Sequence, residues 1–336
     1  MTPKLKPQDF ASNQDVRWCP GCGDYAVLKT IEKVLPELNI PKKDMVFVSG
    51  IGCASRFPYY LDTYGFHTIH GRAPTIATGV KLAKPELSVW VVTGDGDGFS
   101  IGTNHLIHLM RRNIDINILL FNNQVYGLTK GQYSPTSQIG LKTKSSPLGS
   151  LERPLSPINI ALASNCSFVA RAIDVDHKGL STVLKQAVAH KGTSFIEIYQ
   201  NCHVFNDGAF ESIRDKAHRA SQTITLEANQ PLLFGAENEK GLVLEEKGVL
   251  VKNSQSETDK ASITKYQATQ AMAMRLNQLD SKQYPVPIGV FYQDSRPCLE
   301  QQMHSVVEQA KRVKSVDLQS LLLSGNTWEI EPSVRK

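Results

Sequence analysis

The feature that most restricts the fold is the run over residues 89–127. A β-branched apolar stretch (Val89, Trp90, Val91, Val92) breaks at Gly94-Asp95-Gly96-Asp97-Gly98. An amphipathic segment follows, with Ile101, Leu106, Ile107, Leu109 and Met110 apolar. A second apolar run, residues 116–121, then ends at Asn122-Asn123-Gln124-Val125-Tyr126-Gly127-Leu128. Strand, glycine-rich turn, helix and strand make a βαβ unit. Open parallel sheets bind ligands at the carboxyl ends of their strands, where both polar clusters fall.

The residue types at those ends suit an anion and a hard cation. Gly94 and Gly96 let backbone approach a diphosphate, and N–H groups opening the next helix favour negative charge. Asp95 offers a carboxylate, Asn123 an amide oxygen and Val125 a main-chain carbonyl. Mg²⁺ takes such oxygens together with the phosphates of a substrate or cofactor. Alone, Gly-Asp-Gly is equally a tight turn; the Asn-Asn pair at the next strand end sharpens the ligand reading. No Gly-x-Gly-x-x-Gly fingerprint is present, and Leu106 stands where an EF-hand loop needs its closing Glu.

Thiols form a second constellation. Cys19 and Cys22 share the turn Trp18-Cys19-Pro20-Gly21-Cys22-Gly23-Asp24. Cys53 follows an apolar run at 45–48, in Gly50-Ile51-Gly52-Cys53-Ala54-Ser55-Arg56, and Cys202 follows another at 194–198. If both runs belong to one parallel sheet, their carboxyl ends bring the four thiols together near the turn at 94–97. Four thiolates suit a structural zinc or an iron–sulfur cluster. Zinc sites usually show two close pairs, so the single pair here favours the cluster. The alternative is a redox-active Cys-x-x-Cys, with Cys53 and Cys202 as buried small hydrophobes. Cys166 and Cys298 lack partners by spacing and read as packing residues.

The Gly-Asp-Gly and Asn-Asn motifs resemble those of thiamine diphosphate (TPP) enzymes. With the cysteines, residues 15–210 resemble the β subunits of 2-oxoacid:ferredoxin oxidoreductases. Trp-Cys-Pro-Gly-Cys-Gly-Asp, Gly-Ile-Gly-Cys, His-Gly-Arg, Gly-Asp-Gly-Asp-Gly, Asn-Asn-Gln-Val-Tyr-Gly and Asn-Cys-His-Val-Phe-Asn carry the likeness. One departure is Ala54, where the family often has Ser; no ligand is lost. The resemblance implies that Asp95, Asn123 and the Val125 carbonyl ligate Mg²⁺ under TPP. Gly94, Gly96, Asp97, Tyr126, Gly127 and Leu128 would complete the cofactor pocket. Cys19, Cys22, Cys53 and Cys202 would hold one 4Fe–4S cluster.

The implied reaction is oxidative decarboxylation of a 2-oxoacid, or its reverse, with coenzyme A taking the acyl group and ferredoxin the electrons. TPP supplies the electron sink that loss of CO₂ requires. The Glu that activates TPP usually belongs to a pyrimidine-binding domain, which this chain does not display. The resemblance therefore puts it on a separate α subunit. Cys-x-Ser-Arg-Phe-Pro-Tyr-Tyr resembles the 2-oxoglutarate-type members. Arg56, with Arg72, is thus expected to anchor a second carboxylate, and His70-Gly71-Arg72 to line the pocket. Pyruvate or a branched-chain 2-oxoacid is the alternative substrate. A cluster-bearing electron-transfer subunit with a vestigial TPP site is the alternative class.

The remaining pattern predicts an α/β fold, a parallel sheet flanked by helices with a C-terminal appendage. Residues 1–221 would form the TPP-, Mg²⁺- and cluster-binding domain and residues 222–336 the appendage. Residues 1–17, with Lys4 and Lys6, read as a polar arm. Asp24 is expected to cap a helix bearing Val27, Leu28, Ile31 and Leu35. The long loop at 129–153, rich in Ser, Thr, Gly and Lys, would fold over the cofactor or form a mobile surface excursion. Beyond 222, a hairpin at 242–251 and helices at 266–276 and 299–313 are predicted.

A net charge of +5, scattered along the chain, is no nucleic-acid footprint. No apolar run approaches twenty residues and no signal-peptide core opens the chain, so neither membrane spanning nor secretion is expected. Six cysteines in 336 residues argue for reduced thiols or metal ligands, and a cytoplasmic location is the default.

Overall fold

The computed structural model describes residues 5–313 and 317–330; Lys4 of the expected arm and residues 331–336 of the expected appendage lie outside them. The strands are β1 (Met45–Ser49), β2 (Tyr64–His67), β3 (Ser88–Gly94), β4 (Ile116–Asn122), β5 (Phe168–Ile173), β6 (Ser194–Tyr199), β7 (Thr223–Leu226), β8 (Leu233–Phe234), β9 (Lys240–Glu245), β10 (Gly248–Asn253) and β11 (Val286–Gln293). Eight of them form one sheet in the order β2-β1-β3-β4-β6-β5-β11-β7. The six strands from β2 to β5 are mutually parallel, whereas β11 runs antiparallel to β5 and β7 parallel to β11. A three-stranded antiparallel sheet, β10-β9-β8, includes the expected hairpin.

The pleat explains why apolar runs became buried strands. Val46, Val48, Val89, Val91, Ile116, Ile118 and Leu120 enter one core; Met45, Phe47, Trp90, Val92, Leu119 and Phe121 enter the other. Successive side chains point to opposite faces, so a strand covered on both sides must be apolar throughout. Helices Ala73–Ala83 and Thr103–Arg112 help close the first face, and Asp24–Val34 and His177–Ala189 the second.

Four details depart from the sequence expectation. Phe10 is fully buried in the second core and its carbonyl accepts from Asp62 N–H, so this part of the arm is docked by one aromatic anchor. Asp24 opens its helix without capping it; both carboxylate oxygens are buried and have no partner. Strand β2 is exposed along its length, which erased the apolar signal that would have marked it. Finally, the glycine-rich turn after β3 is itself the short helix Asp95–Phe99.

The residues beyond 222 add β7 and β11 to the main sheet, and Ile224, Leu226, Tyr266, Leu276 and Phe291 join its first core. Cys166 and Cys298 are buried packing residues, as their spacing suggested.

Candidate active site

Neighbouring strands deliver the two constellations to one edge. β1, β3, β4 and β6 lie side by side, and their carboxyl ends lead into the loops bearing Cys53, Asp95, Asn123 and Cys202. The Cys19–Cys22 turn joins them through a main-chain hydrogen bond from Gly23 N–H to the Asn201 carbonyl, 3.1 Å. A pocket at this edge is lined by Gly94, Asp95, Gly96, Asp97, Asn123, Val125, Tyr126, Gly127 and Leu128, with His70 and Cys53 on its walls.

Asp95 is 2% exposed, and burial pushes its carboxyl up to about 6, opposed by hydroxyl donors. Ser134 Oγ and Thr136 Oγ1 donate to its Oδ2 at 2.5 and 2.6 Å. A cation beside this group would favour its charged form. Asp95, Asn123 and Val125 share the pocket wall and offer only oxygen donors, a set that fits Mg²⁺. Asn123 Oδ1 also accepts the Val125 N–H at 3.2 Å, which ties the two together. Tyr126 donates to the Gly96 carbonyl at 2.9 Å, and a methyl group on Gly96 would lie 2.3 Å from its ring. Only glycine lets that ring pack there.

Asp97 has a different part. Its carboxylate accepts from Ile51 N–H (3.0 Å), Gly71 N–H (2.7 Å) and Thr93 Oγ1 (2.6 Å), with His70 Nδ1 2.8 Å away. It braces the two loops that wall the pocket.

The four thiols do not close on a point. Among the described residues no three His, Cys, Asp or Glu side chains converge as a single metal ion requires. They are neighbours nonetheless: Cys53 and Cys202 both face Gly127, and Gln200 Nε2 reaches Cys22 Sγ at 3.3 Å. Cys19 is exposed and the other three are half-buried. Burial, reinforced by Asp24, holds the Cys22 thiol far above its usual range and pushes Cys53 up to about 12. A donor set of four separate thiols suits a multi-iron cluster better than one zinc ion.

Arg56 lines an adjoining cavity with Arg17, Tyr59, Tyr60 and His67, and that cavity shares Ile51, Gly52 and Leu128 with the first. Its Nε donates to Tyr60 Oη at 3.1 Å. Arg72 is not brought there. It is exposed, with Nη1 2.6 Å from His105 Nε2, and lines neither cavity.

Sequence reasoning missed Ser134 and Thr136, and used Asn122 only as part of the Asn-Asn pair. The first two lie on the long loop, which has no helix or strand but is buried at Ser134, Thr136, Ser137 and Ser150. The cluster Ser134-Pro135-Thr136-Ser137 was the available signal: three hydroxyls beside a rigid proline.

The fold is that of a TPP-binding domain. Residues 50–198 match the family described as "Thiamine pyrophosphate enzyme, C-terminal TPP binding domain". The chain is 48% identical over 332 residues to the 2-oxoglutarate oxidoreductase subunit KorB of Mycobacterium tuberculosis, covering 97% of this chain and 89% of that one. The β subunit of 2-oxoacid:ferredoxin oxidoreductase 1 from Aeropyrum pernix is 50% identical, over 56% of this chain and 60% of that one. A solved 2-oxoglutarate:ferredoxin oxidoreductase from Magnetococcus marinus, with 2-oxoglutarate, coenzyme A and succinyl-CoA bound, superposes with TM-score 0.77 at 30% identity, over 96% and 97% of the two chains. The chain belongs to the 2-oxoacid:ferredoxin oxidoreductase β-subunit family, and its full-length likeness is to the 2-oxoglutarate type.

Proposed function

We propose that this chain is the β subunit of a 2-oxoglutarate:ferredoxin oxidoreductase, interconverting 2-oxoglutarate and succinyl-CoA with TPP, Mg²⁺ and one 4Fe–4S cluster. The observation that carries this reading is the meeting of an oxygen-lined TPP pocket and four thiols at one sheet edge, with Gly127 against two of the sulfurs. Bound TPP supplies the electron sink for loss of CO₂, and a low-potential cluster beside it takes electrons singly. Asp95, Asn123 and the Val125 carbonyl hold the cation, and Tyr126 supports the loop at Gly96. Cys19, Cys22, Cys53 and Cys202 hold the cluster.

Arg56 suits the distal carboxylate of the substrate, because its cavity shares the Ile51, Gly52 and Leu128 wall with the cofactor pocket. The reading includes an α subunit with the pyrimidine-binding domain, and a ferredoxin as electron acceptor. Exposed Leu128 at the pocket and Leu148 and Leu151 on the long loop, 93% and 88% exposed, support a further subunit here. All six cysteines are free of disulfides, and among the described residues no helix is long and apolar enough to cross a membrane; both fit the cytoplasmic location this reading carries.

The test is the complex purified without oxygen and assayed on a panel of 2-oxoacids with coenzyme A and a viologen acceptor. Preference for 2-oxoglutarate is expected, as is absence of turnover by this chain alone. Equal or better turnover of pyruvate would overturn the substrate assignment.

A further inference from the structure

A line of buried polar side chains crosses the sheet from Asp95 to its far side. Thr136 Oγ1, which donates to Asp95, also stands 3.0 Å from Asn122 Oδ1. Asn122, at the end of β4, donates through Nδ2 to Glu197 Oε1 on β6 at 2.7 Å. Glu197 Oε2 accepts from Arg171 Nε on β5 at 2.7 Å. Arg171 Nη1 donates to the Pro287 carbonyl on β11 at 3.1 Å, and Nη2 to Asn277 Oδ1 at 2.7 Å. Asn277 in turn donates to Ser156 Oγ and Asn159 Oδ1.

Thr136, Asn122, Glu197 and Arg171 are each at most 4% exposed. The guanidinium is held between the rings of Tyr199 and Phe291, 4.7 and 5.1 Å from their centroids. A buried ion pair is kept at a desolvation cost, and replacing both partners by apolar groups is often neutral for stability. Packing alone therefore gives no reason for this pair. Its geometry does: Glu197 accepts from the Asn122 amide and Gln124 N–H donates to Asn122 Oδ1 at 3.2 Å, so that this oxygen is held as the second acceptor for the single Thr136 hydroxyl proton, beside Asp95 Oδ2.

We propose that Thr136 and Asn122 are positioning residues for Asp95, oriented from across the sheet by Glu197, Arg171 and Asn277, so that the C-terminal part of the chain sets the affinity of the TPP–cation site. This rests on the reading of Asp95 as the residue facing the cofactor's cation. Networks of this kind act as a unit, so their effects should not add.

The experiment uses the native complex, stripped of cofactor by a chelator, with Mg²⁺ and TPP binding measured by calorimetry. Thr136→Val should weaken binding about tenfold, the loss of one hydrogen bond to a charged group. Thr136→Ser, which keeps the hydroxyl, should restore it. The paired change Arg171→Leu with Glu197→Leu should also weaken binding severalfold, although the two side chains line a separate cavity with Asn122 and Thr136 and not the pocket around Asp95. Adding Thr136→Val to that pair should give little further loss. If the paired variant does not fold, Asn277→Ala at the half-buried end replaces it, with about twofold to threefold weakening expected.

Unchanged affinity in the paired variant (or in Asn277→Ala), or effects that add in full, would overturn the relay while leaving the TPP site intact. Failure of the unmodified complex to bind TPP at all would overturn the functional reading and the relay with it.

Discussion

Cys53 and Cys202 meet over Gly127: a methyl group there would lie 3.5 Å from one sulfur and 3.6 Å from the other. Gly127 follows the Asn-Asn segment of the TPP motif, so one loop touches both constellations. The thiol group and the cofactor pocket are walls of one structure.

On the proposed assignment of the four thiols, replacing Cys53 by Ser should remove the cluster. Protein purified without oxygen should contain iron and sulfide in equal amounts, and the variant should lose most of both. Stoichiometric zinc without iron in the unmodified protein would refute the cluster assignment.

Asp95→Asn keeps the shape of the side chain but removes a charge that faces the expected cation. A hydrogen bond to a charged group is worth about 1.5–3 kcal/mol, and a carboxylate facing a dication should contribute at least as much. TPP should bind roughly 10- to 100-fold more weakly, as measured on chelator-stripped protein. Iron content should not change. Normal TPP retention would mean that another residue holds the cation.

Gly96→Ala drives a methyl group into the Tyr126 ring. Overpacking of this type costs about 1–3 kcal/mol. The unfolding midpoint should fall, and TPP content with it, because Tyr126 lies beside the pocket residues 123 and 125. A variant as stable and as TPP-rich as the parent would show that the ring moves aside freely.

Arg56→Met tests substrate choice. The planar guanidinium can donate two parallel hydrogen bonds to a carboxylate, and pyruvate has no second carboxylate to receive them. Loss of one such contact should lower kcat/KM for 2-oxoglutarate roughly 10- to 100-fold. Pyruvate turnover should fall much less. Equal losses on both substrates would assign Arg56 to a group that they share. Arg72, paired with His105 on the surface, should tolerate replacement by Met with little change in the same assay.

The parallel core was legible because its strands are buried on both faces, which turns them into continuous apolar runs such as residues 116–121. The strand-end clusters were legible because Gly-Asp-Gly and Asn-Asn interrupt apolar runs, which is where β3 and β4 end. Strand β2 was not, since Tyr64, Gly65, Phe66 and His67 show no alternation when every position is exposed. The hydroxyls on Asp95 were hidden for another reason. Ser134 and Thr136 are ordinary loop residues until the chain folds back across 39 and 41 positions. Likewise Arg171 and Glu197 lie inside the apolar runs of β5 and β6, and only the order β4-β6-β5 links them, through Glu197, to Asn122.

Asp97 has a kinetic consequence. Its carboxylate collects main-chain donors from Ile51 and Gly71, 46 and 26 positions earlier in the chain. Those bonds join loops that the pairing of β1 with β2 and β3 places side by side. Long-range contacts form late, because loop closure must precede their reward. The walls of the pocket should thus become protected from hydrogen exchange only after the central strands are in register, so that a nascent chain exposes no half-built cofactor site.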